Sequence, residues 1–363
     1  MTTPTPRPGI LEIAPYIGGG AGLVGAAKVF KLASNESALG ASPRAIEGAA
    51  NASPSIHLYP DGSAAALRKK LGEIYGLDPA RIVCSNGSDE LLQLLCRAYV
   101  GEGDNVVQTE FGFLVYALAT KACGGEIRFA KEKNRTADID AVLALVDART
   151  RLVFIANPNN PTGTYIPDSE IRRLRGGLRD DVLLVIDAAY AEFMEERDYD
   201  AGAALVEERD NVVMTRTFSK IYGLAGLRLG WGYLPPAIAD VINRIRGPFN
   251  VSATALAAGL AALDDQAFVE RNRAHNRAER DFLQQSLGGM GLDFTPSFGN
   301  FILVRFPDAT GVRAADILAH LRKGGVIVRE MGAYNLGDCL RVTIGTREAN
   351  RRFVELLQEK FPS

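Results

Sequence analysis

The sequence predicts an α/β fold, with a large domain whose mostly parallel sheet is sandwiched by helices and a smaller α+β domain. Three observations support this prediction. From about residue 40, short apolar runs alternate with amphipathic helical segments, as in β-α-β units. After about residue 240, this alternation gives way to a long helical stretch followed by a few strands and helices. The length of 363 residues exceeds a typical single core, so we expect two domains.

Composition indicates an ordinary globular protein and excludes several classes of partner. Hydrophobic residues make up 47% of the chain and charged residues 23%, with a formal net charge of −2. This balance gives no reason to expect nucleic acid or a membrane surface as a partner. The 4 cysteines and 3 histidines are dispersed, so we expect buried thiols and no metal site. Without an apolar leader or a membrane-length apolar run, we expect a cytoplasmic protein.

Three segments are predicted: an N-terminal arm (residues 1–35), a large domain (36–240) and a small domain (241–363). The arm contains Gly20, Gly22 and Gly25, which spell the GxGxxG fingerprint of dinucleotide-binding proteins. That fingerprint normally follows a β-strand, whereas here it follows Ala14-Pro15-Tyr16. We therefore interpret the segment as a flexible arm that packs with the small domain and with a partner subunit.

The large domain is predicted from apolar periodicity and turn residues, in chain order. Its elements are a helix at 63–75, a strand at 81–85, a helix at 90–99, a strand at 105–108, a helix at 113–122, a strand at 126–129, a helix at 139–146, a strand at 151–156, a helix at 168–174 and strands at 182–186 and 211–214. The small domain follows with a helical stretch at 253–288, a strand at 300–305, a helix at 314–323, strands at 326–329 and 340–344, and a terminal helix. Ligands of such sheets bind beyond the carboxyl ends of the strands.

A lone lysine, Lys220, follows the last of the large-domain strands. Burial disfavours the charged form of a lysine, which leaves an amine suited to Schiff-base chemistry. The hydroxyls of Thr217 and Ser219, and Arg228 eight residues further on, suit a phosphate group. A lysine for an aldehyde beside a phosphate site predicts pyridoxal 5'-phosphate. The alternative is a surface lysine in a glycine-rich loop.

Two further loops carry polar groups that this cofactor would need. Gly87-Ser88-Asp89 opens a helix, where free amides and the helix dipole favour a phosphate, although an ordinary helix cap is the alternative. The run from residue 157 to 163 is rigid because it holds two prolines before Gly163. It could fix the amide of Asn160 where it donates to the cofactor's phenolic oxygen.

The apolar strand at 182–186 ends in Asp187, with Tyr190 three residues later. A carboxylate at the end of an apolar strand is costly unless it is paired. The pyridinium nitrogen is the partner we expect, because a protonated ring is a better electron sink. Tyr190 could then reach the ring oxygen, and the alternative for Asp187 is a cap on the following helix.

Taken together, these motifs resemble the fold-type I pyridoxal-phosphate aminotransferases, and within them the histidinol-phosphate aminotransferase family. The resemblance runs from Leu32 to Thr346 and rests on motifs in one order: Gly87-Ser88-Asp89, Asn160-Pro161-Thr162-Gly163, Asp187-x-x-Tyr190, and Ser219-Lys220 followed by Gly-Leu-Ala-Gly-Leu-Arg at 223–228. It implies that Lys220 binds the cofactor covalently and shuttles the substrate proton.

The resemblance also implies cofactor contacts for the remaining motif residues. Asp187 would pair with the ring nitrogen, and Tyr190 and Asn160 would contact the ring oxygen. The phosphate would be held by Ser88, Asp89, Thr217, Ser219 and Arg228. Tyr59, in Leu58-Tyr59-Pro60-Asp61, resembles a tyrosine that reaches the phosphate of a neighbouring subunit, which implies a homodimer with shared sites.

The residue that stacks on the cofactor ring remains open between Phe111 and Phe113. The family has Pro-Thr/Ser-Tyr/Phe where this chain has Phe111-Gly112-Phe113. We favour Phe113, and either ring could be simple core.

Substrate contacts implied by the resemblance involve residues far apart in the sequence. Arg341 lies in an apolar strand and would need an anionic partner. With Arg329 and Tyr16 it would face the anionic end of the substrate, although Arg329 could be a surface residue beside Glu330. Asn35 and Asn300 are expected near the substrate.

The predicted function is ping-pong transamination of L-histidinol phosphate with 2-oxoglutarate, giving imidazole-acetol phosphate and glutamate. Aromatic amino acid transamination and decarboxylation of a phosphorylated amino acid are alternatives on the same scaffold. A pyridoxal-binding regulator would ordinarily carry a DNA-binding domain, and no basic helix-turn-helix precedes residue 35. A nicotinamide-dependent oxidoreductase would rest only on the misplaced glycine fingerprint.

Overall fold

The computed structural model describes residues 4–7, 9–15, 18, 28–306 and 311–361. The glycine fingerprint at Gly20, Gly22 and Gly25 and the predicted substrate contact Tyr16 lie outside these residues. No helix in the described part of the chain is both long and apolar enough to cross a lipid bilayer.

The described residues form helices and strands that alternate along the first two thirds of the chain. The helices are α1 (Pro43–Ala52), α2 (Ala65–Tyr75), α3 (Ser88–Tyr99), α4 (Leu114–Ala122), α5 (Ile139–Ala144), α6 (Asp168–Gly177), α7 (Ala203–Glu208), α8 (Pro236–Ile245), α9 (Ala253–Asp264), α10 (Gln266–Gly289), α11 (Ala314–Lys323) and α12 (Arg347–Gln358). The strands are β1 (Phe30–Leu32), β2 (Ile82–Ser85), β3 (Asn105–Thr109), β4 (Glu126–Ala130), β5 (Glu132–Lys133), β6 (Thr136–Ala137), β7 (Thr150–Ala156), β8 (Leu183–Asp187), β9 (Val212–Thr217), β10 (Gly230–Tyr233), β11 (Asp293–Thr295), β12 (Phe301–Arg305), β13 (Val326–Glu330) and β14 (Cys339–Thr343).

The larger sheet has 7 strands among the described residues, in the order β2-β10-β9-β8-β7-β3-β4. Its strands run parallel except β10, which is antiparallel to both β2 and β9. The predicted class, a mostly parallel sheet between helices, is therefore confirmed. The strand β10 was not predicted.

Both faces of this sheet are buried, which explains why its strands read as continuous apolar runs. In β8, Leu184 and Ile186 pack into the core on one face, while Leu183 and Val185 pack into the core on the other. Each such side chain contributes about 1.5–3 kcal/mol when it is fully buried. The central strands are thus fixed by packing from two sides, and so are the loops at their ends.

A second sheet of 5 strands, in the order β1-β13-β14-β12-β11, has a core of its own. The strand β1 joins it in parallel with β13, and the remaining pairs are antiparallel. This agrees with the predicted smaller α+β part, with the end of the arm as one edge strand.

The helical stretch predicted at 253–288 is divided by Asp265 into α9 and α10. The backbone of Asp265 (φ −100°, ψ 59°) is not helical, and its carboxylate accepts a hydrogen bond from the amide of Phe268. Such a capping carboxylate begins a new helix instead of continuing the previous one. The helix α9 packs against α1 and α2, on the side of the larger sheet. The domain boundary near residue 240 stays a prediction, and these contacts favour placing α9 with the larger domain.

Candidate active site

A cavity of about 310 Å³ opens where the carboxyl ends of the central strands meet the second sheet. Its walls hold most of the site residues expected from the sequence. These are Asn35, Ser88, Asp89, Phe113, Asn160, Asp187, Tyr190, Thr217, Ser219, Lys220, Arg228, Arg329 and Arg341. Residues widely separated in the sequence therefore meet in one place, as expected at the end of a doubly wound sheet. The sequence analysis did not single out Tyr334 or Glu36, which also line the cavity.

The other expected residues lie elsewhere. Gly87 is buried directly behind Arg228. Asn300 is buried, and its amide donates to the backbone carbonyls of Asn35 and Glu36, at 3.0 and 3.2 Å. Tyr59 is 84% exposed and stacks on Phe249 at 4.6 Å between ring centroids.

Lys220 lies in a tight turn immediately after β9. The amide of Gly223 donates to the carbonyl of Lys220 at 3.0 Å, and Gly223 has a φ of +69°. A Cβ at Gly223 would lie 2.0 Å from the carbonyl oxygen of Gly40, so only glycine fits this turn. The amino group of Lys220 is 5.6 Å from the centroid of the Tyr190 ring. Packing of the turn thus directs the amine toward the cavity.

Asp187 ends β8 at the floor of the cavity and is buried. Its Oδ2 accepts a 2.7 Å hydrogen bond from the Tyr116 hydroxyl, and its Oδ1 lies 3.3 Å from the Thr215 hydroxyl. Burial raises the pKa of Asp187 to about 6, because desolvation outweighs these hydrogen bonds. A cationic partner in the cavity would relieve this cost.

Tyr116 is a site residue that the sequence analysis missed. It is the one tyrosine in the otherwise apolar first turns of α4, and its ring stacks on Phe154 at 4.5 Å. The signal that could have found it is the need of a buried carboxylate for a hydrogen-bond donor.

The far end of the cavity combines a helix N-terminus with Arg228. The guanidinium of Arg228 donates to Asp89 Oδ2 at 3.1 Å and lies 3.4 Å from Ser219 Oγ. A Cβ at Gly230 would lie 2.2 Å from the amide nitrogen of Ser88, so β10 approaches the start of α3 only because residue 230 is a glycine. This end therefore presents hydroxyls, helix amides and one guanidinium, which suits a phosphate.

Two arginines face each other on the second sheet. Arg329 on β13 is directly opposite Arg341 on β14, and both line the cavity. Like charges directly opposite across strands repel, so this pair favours an anion between or beside them. Arg341 is buried; it donates to Asn160 Oδ1 and, at 3.0 Å, to the carbonyl of Ala33.

Asn35 connects the second sheet to Tyr190. Its amide nitrogen Nδ2 donates to the Tyr190 hydroxyl at 2.9 Å. The Thr343 hydroxyl accepts from the backbone amide of Asn35 at 2.9 Å and donates to Asn35 Oδ1 at 3.2 Å. Burial raises the pKa of Tyr190 to about 12, so this phenol is protonated at neutral pH.

The two phenylalanines left open by the sequence have different surroundings. Phe113 lines the cavity and meets the Tyr116 ring edge-to-face at 5.8 Å. Phe111 packs against an apolar cluster that contains Leu303 of β12 and Met331, which follows β13.

Comparison with known proteins shows the family to which the chain belongs. The family model "Aminotransferase class I and II" matches residues 27–357. The histidinol-phosphate aminotransferase of Paramagnetospirillum magneticum is 55% identical over 359 residues, which is 99% of each chain. That of Rhodospirillum rubrum is also 55% identical, covering 98% of this chain and 96% of its own.

Solved structures show the same fold. The structure of histidinol-phosphate aminotransferase from Sinorhizobium meliloti in complex with pyridoxal-5'-phosphate matches with a TM-score of 0.86 at 29% identity, covering 92% of this chain and 91% of that one. The Thermus thermophilus aspartate aminotransferase with maleate matches with a TM-score of 0.81 at 21% identity, a likeness of fold alone. On the family match and the full-length identities, this chain belongs to the class I and II aminotransferases.

Proposed function

We propose that this protein transfers the amino group of L-histidinol phosphate to 2-oxoglutarate, using pyridoxal 5'-phosphate, in histidine biosynthesis. The observation that carries the proposal is the convergence of Lys220, Asp187 and Arg341 on one cavity. The names of the relatives at 55% identity support the choice of substrate.

The residues of the cavity fit pyridoxal phosphate in charge and shape. The buried carboxylate of Asp187, with its raised pKa, suits the protonated ring nitrogen. Gly87 leaves room for the Arg228 guanidinium, and Gly230 lets β10 approach the start of α3. A phosphate would be held at this point. Ser88, the amide of Asp89 and the hydroxyls of Thr217 and Ser219 would supply further donors. The Asp89 carboxylate would instead hold Arg228 in place, since a carboxylate repels a phosphate.

Asn160 and Phe113 would complete the cofactor site. Arg341 already donates to Asn160 Oδ1, so the amide nitrogen of Asn160 is the group that can donate to the ring oxygen. Phe113 lines the cavity and would cover one face of the ring, while Phe111 packs elsewhere.

When bound, the cofactor would supply an electron sink for the electrons of the substrate's Cα–H bond. Lys220 would accept the Cα proton at Nζ as general base and would donate it to C4' of the cofactor as general acid. Asp187 would hold the proton of the ring nitrogen, and the Tyr190 hydroxyl would donate a hydrogen bond to the ring oxygen.

Arg341 and Arg329 would bind the anionic end of each substrate in turn. A guanidinium binds a carboxylate or a phosphate through two parallel hydrogen bonds, so one pair of arginines serves both partners of a ping-pong reaction. Asn300, which holds the backbone of Asn35 and Glu36, would shape this side of the cavity.

We further propose a homodimer with shared sites. Tyr59 and Phe249 form an exposed stacked pair, and Ile56 and Leu58 are also exposed nearby in sequence. Exposed apolar residues in such a group favour a protein partner. In the dimer, Tyr59 would reach the phosphate end of the neighbouring site.

Product analysis tests the proposed reaction. Purified protein with pyridoxal phosphate, L-histidinol phosphate and 2-oxoglutarate should form imidazole-acetol phosphate and glutamate in equal amounts. The Lys220→Ala variant should show no multiple turnover. Release of carbon dioxide would show decarboxylation instead. Faster turnover of L-phenylalanine than of histidinol phosphate would make the protein an aromatic aminotransferase.

A further inference from the structure

We propose that Asn35 is a positioning residue that acts through Tyr190, and that Thr343 fixes the side chain of Asn35 in the orientation this requires. The inference rests on the proposed function, because it concerns the donor that Tyr190 offers to the cofactor. It replaces the direct substrate contact that the sequence led us to expect of Asn35.

The side chain of Asn35 has one orientation that satisfies its neighbours. The Thr343 hydroxyl accepts from the backbone amide of Asn35, so its own proton is available for Asn35 Oδ1, which lies 3.2 Å away. A threonine hydroxyl has a single proton to donate. With its oxygen facing Thr343, the side chain of Asn35 presents its NH₂ group to Tyr190.

This orientation determines what Tyr190 can do. The Tyr190 hydroxyl accepts from Asn35 Nδ2 at 2.9 Å, so its own proton points away from Asn35. Tyr190 lines the cavity, and its ring is held edge-to-face against Phe301 at 5.2 Å. The chain of hydrogen bonds therefore runs in one direction, from Thr343 through Asn35 to Tyr190, and ends in a donor aimed into the cavity.

The backbone of Asn35 is suited to this role. Its φ is +55°, a left-handed conformation that asparagine tolerates better than most residues, and it is buried. Asn300 donates to its carbonyl at 3.0 Å, which anchors the segment. Charged groups around Tyr190 act on its phenol as well: Lys220 lies over its ring, Arg341 favours the phenolate, and Asp187 and Asp89 oppose it.

The hydrogen-bond chain also connects the two sheets. Thr343 is two residues from Arg341 on β14, so both side chains lie on the same face of the strand. Tyr190 follows β8 of the larger sheet. A change in the position of β14 that accompanies anion binding at Arg341 would thus reach the cofactor's ring oxygen through Asn35.

A double-mutant cycle between Asn35 and Tyr190 tests the inference. Asn35→Gly removes the side chain without straining the positive φ, and Tyr190→Phe removes the hydroxyl. The measurements are the dissociation constant of pyridoxal phosphate from the apoprotein, the pH titration of the bound cofactor's absorbance, and KM for the amino donor. We expect Asn35→Gly alone to weaken cofactor binding about tenfold and to shift the titration, and to do neither in the Tyr190→Phe background.

Two further variants separate positioning from a general structural effect. Asn35→Asp keeps the shape but turns the donor into an acceptor, so Tyr190 would donate to it and cofactor binding should weaken at least as much. Thr343→Val should weaken cofactor binding through Tyr190, whereas Thr343→Ser, which keeps the hydroxyl, should restore wild-type binding.

The possible outcomes distinguish a failure of this inference from a failure of the proposed function on which it rests. Additive effects of Asn35→Gly and Tyr190→Phe, or an effect of Asn35→Gly on KM alone, would overturn the inference and leave the proposed function standing. Wild-type protein that does not bind pyridoxal phosphate would overturn the proposed function and the inference with it.

Discussion

The Tyr116 hydroxyl donates a 2.7 Å hydrogen bond to Oδ2 of Asp187, the carboxylate at the floor of the cavity. The two residues are far apart in sequence, on α4 and at the end of β8. The tyrosine ring is fixed in turn by stacking on Phe154, with 4° between the ring planes. One oxygen of Asp187 is thus held by the protein, and the carboxylate is oriented before any ligand arrives.

Tyr116→Phe should lower kcat/KM about tenfold while the protein remains folded, because the ring can still stack on Phe154 and only the hydrogen bond is lost. Steady-state kinetics and thermal unfolding check this. Tyr165→Phe is a matched control, since the Tyr165 hydroxyl donates to Asp198 in an exposed pair. An unchanged kcat/KM for Tyr116→Phe would show that Asp187 needs no such orientation.

Asp187→Asn should raise the stability of the apoprotein and lower its activity. Burial raises the pKa of Asp187 from 3.8 to about 6, so the folded state binds more protons than the unfolded state between these values. The free energy of unfolding therefore falls as pH rises through this window. At pH 7 it is about 3 kcal/mol lower than it would be if Asp187 had the same pKa in both states. The substituted amide cannot ionise, so the variant should be more stable at pH 7 and should converge with the wild type near pH 4.

The same substitution should reduce kcat by about 10²–10³-fold, because the ring nitrogen loses the carboxylate that keeps its proton. Denaturant unfolding of the apoprotein and kinetics of the loaded enzyme measure the two effects separately. A variant that is less stable at pH 7, or as active as the wild type, would contradict the role given to Asp187.

Arg341→Lys should raise KM for both substrates by about 10–100-fold and leave cofactor affinity nearly unchanged. Lysine keeps the charge but cannot make the paired hydrogen bonds of a guanidinium, and it cannot reach both Asn160 and Ala33. Arg305→Lys, on the adjacent strand and paired with Asp338 at the surface, is the control. If Arg341→Lys weakens the binding of pyridoxal phosphate and leaves KM unchanged, the residue belongs to the cofactor site instead.

Shared sites can be tested by mixing two defective variants. In a hybrid of Tyr59→Ala and Lys220→Ala subunits, one site has both Lys220 and the partner's Tyr59, and the other has neither. Random exchange at equal amounts should therefore restore about a quarter of wild-type activity at limiting pyridoxal phosphate. No gain above the unmixed variants would show that Tyr59 serves its own subunit or no site.

The sequence was sufficient to predict that two residues whose charge conflicts with their apolar surroundings lie at the cavity. Asp187 and Lys220 were predicted because a charged residue at the end of an apolar strand requires a partner. The strand β10 was missed because four residues with two glycines carry no periodic signal. The break between α9 and α10 at Asp265 was missed because the helical pattern of the sequence continues across it, and only the capping hydrogen bond marks the new helix.

Contacts between distant residues could not be predicted in the same way. The bonds from Tyr116 to Asp187 and from Asn35 to Tyr190 depend on how the two sheets and α4 pack, and no local pattern encodes them. The choice between Phe111 and Phe113 likewise depends on packing. Phe111 packs against an apolar cluster and Phe113 lines the cavity, and the local sequence does not distinguish these two environments.

The most direct test of the central claim is a half-reaction monitored by absorbance. Protein loaded with pyridoxal phosphate is titrated with L-histidinol phosphate and, in parallel, with L-phenylalanine, without any keto acid. We expect histidinol phosphate to convert the absorbance band of the bound cofactor rapidly to that of the pyridoxamine form, and phenylalanine to do so much more slowly. Equal or faster conversion by phenylalanine, or no cofactor band at all, would contradict the account.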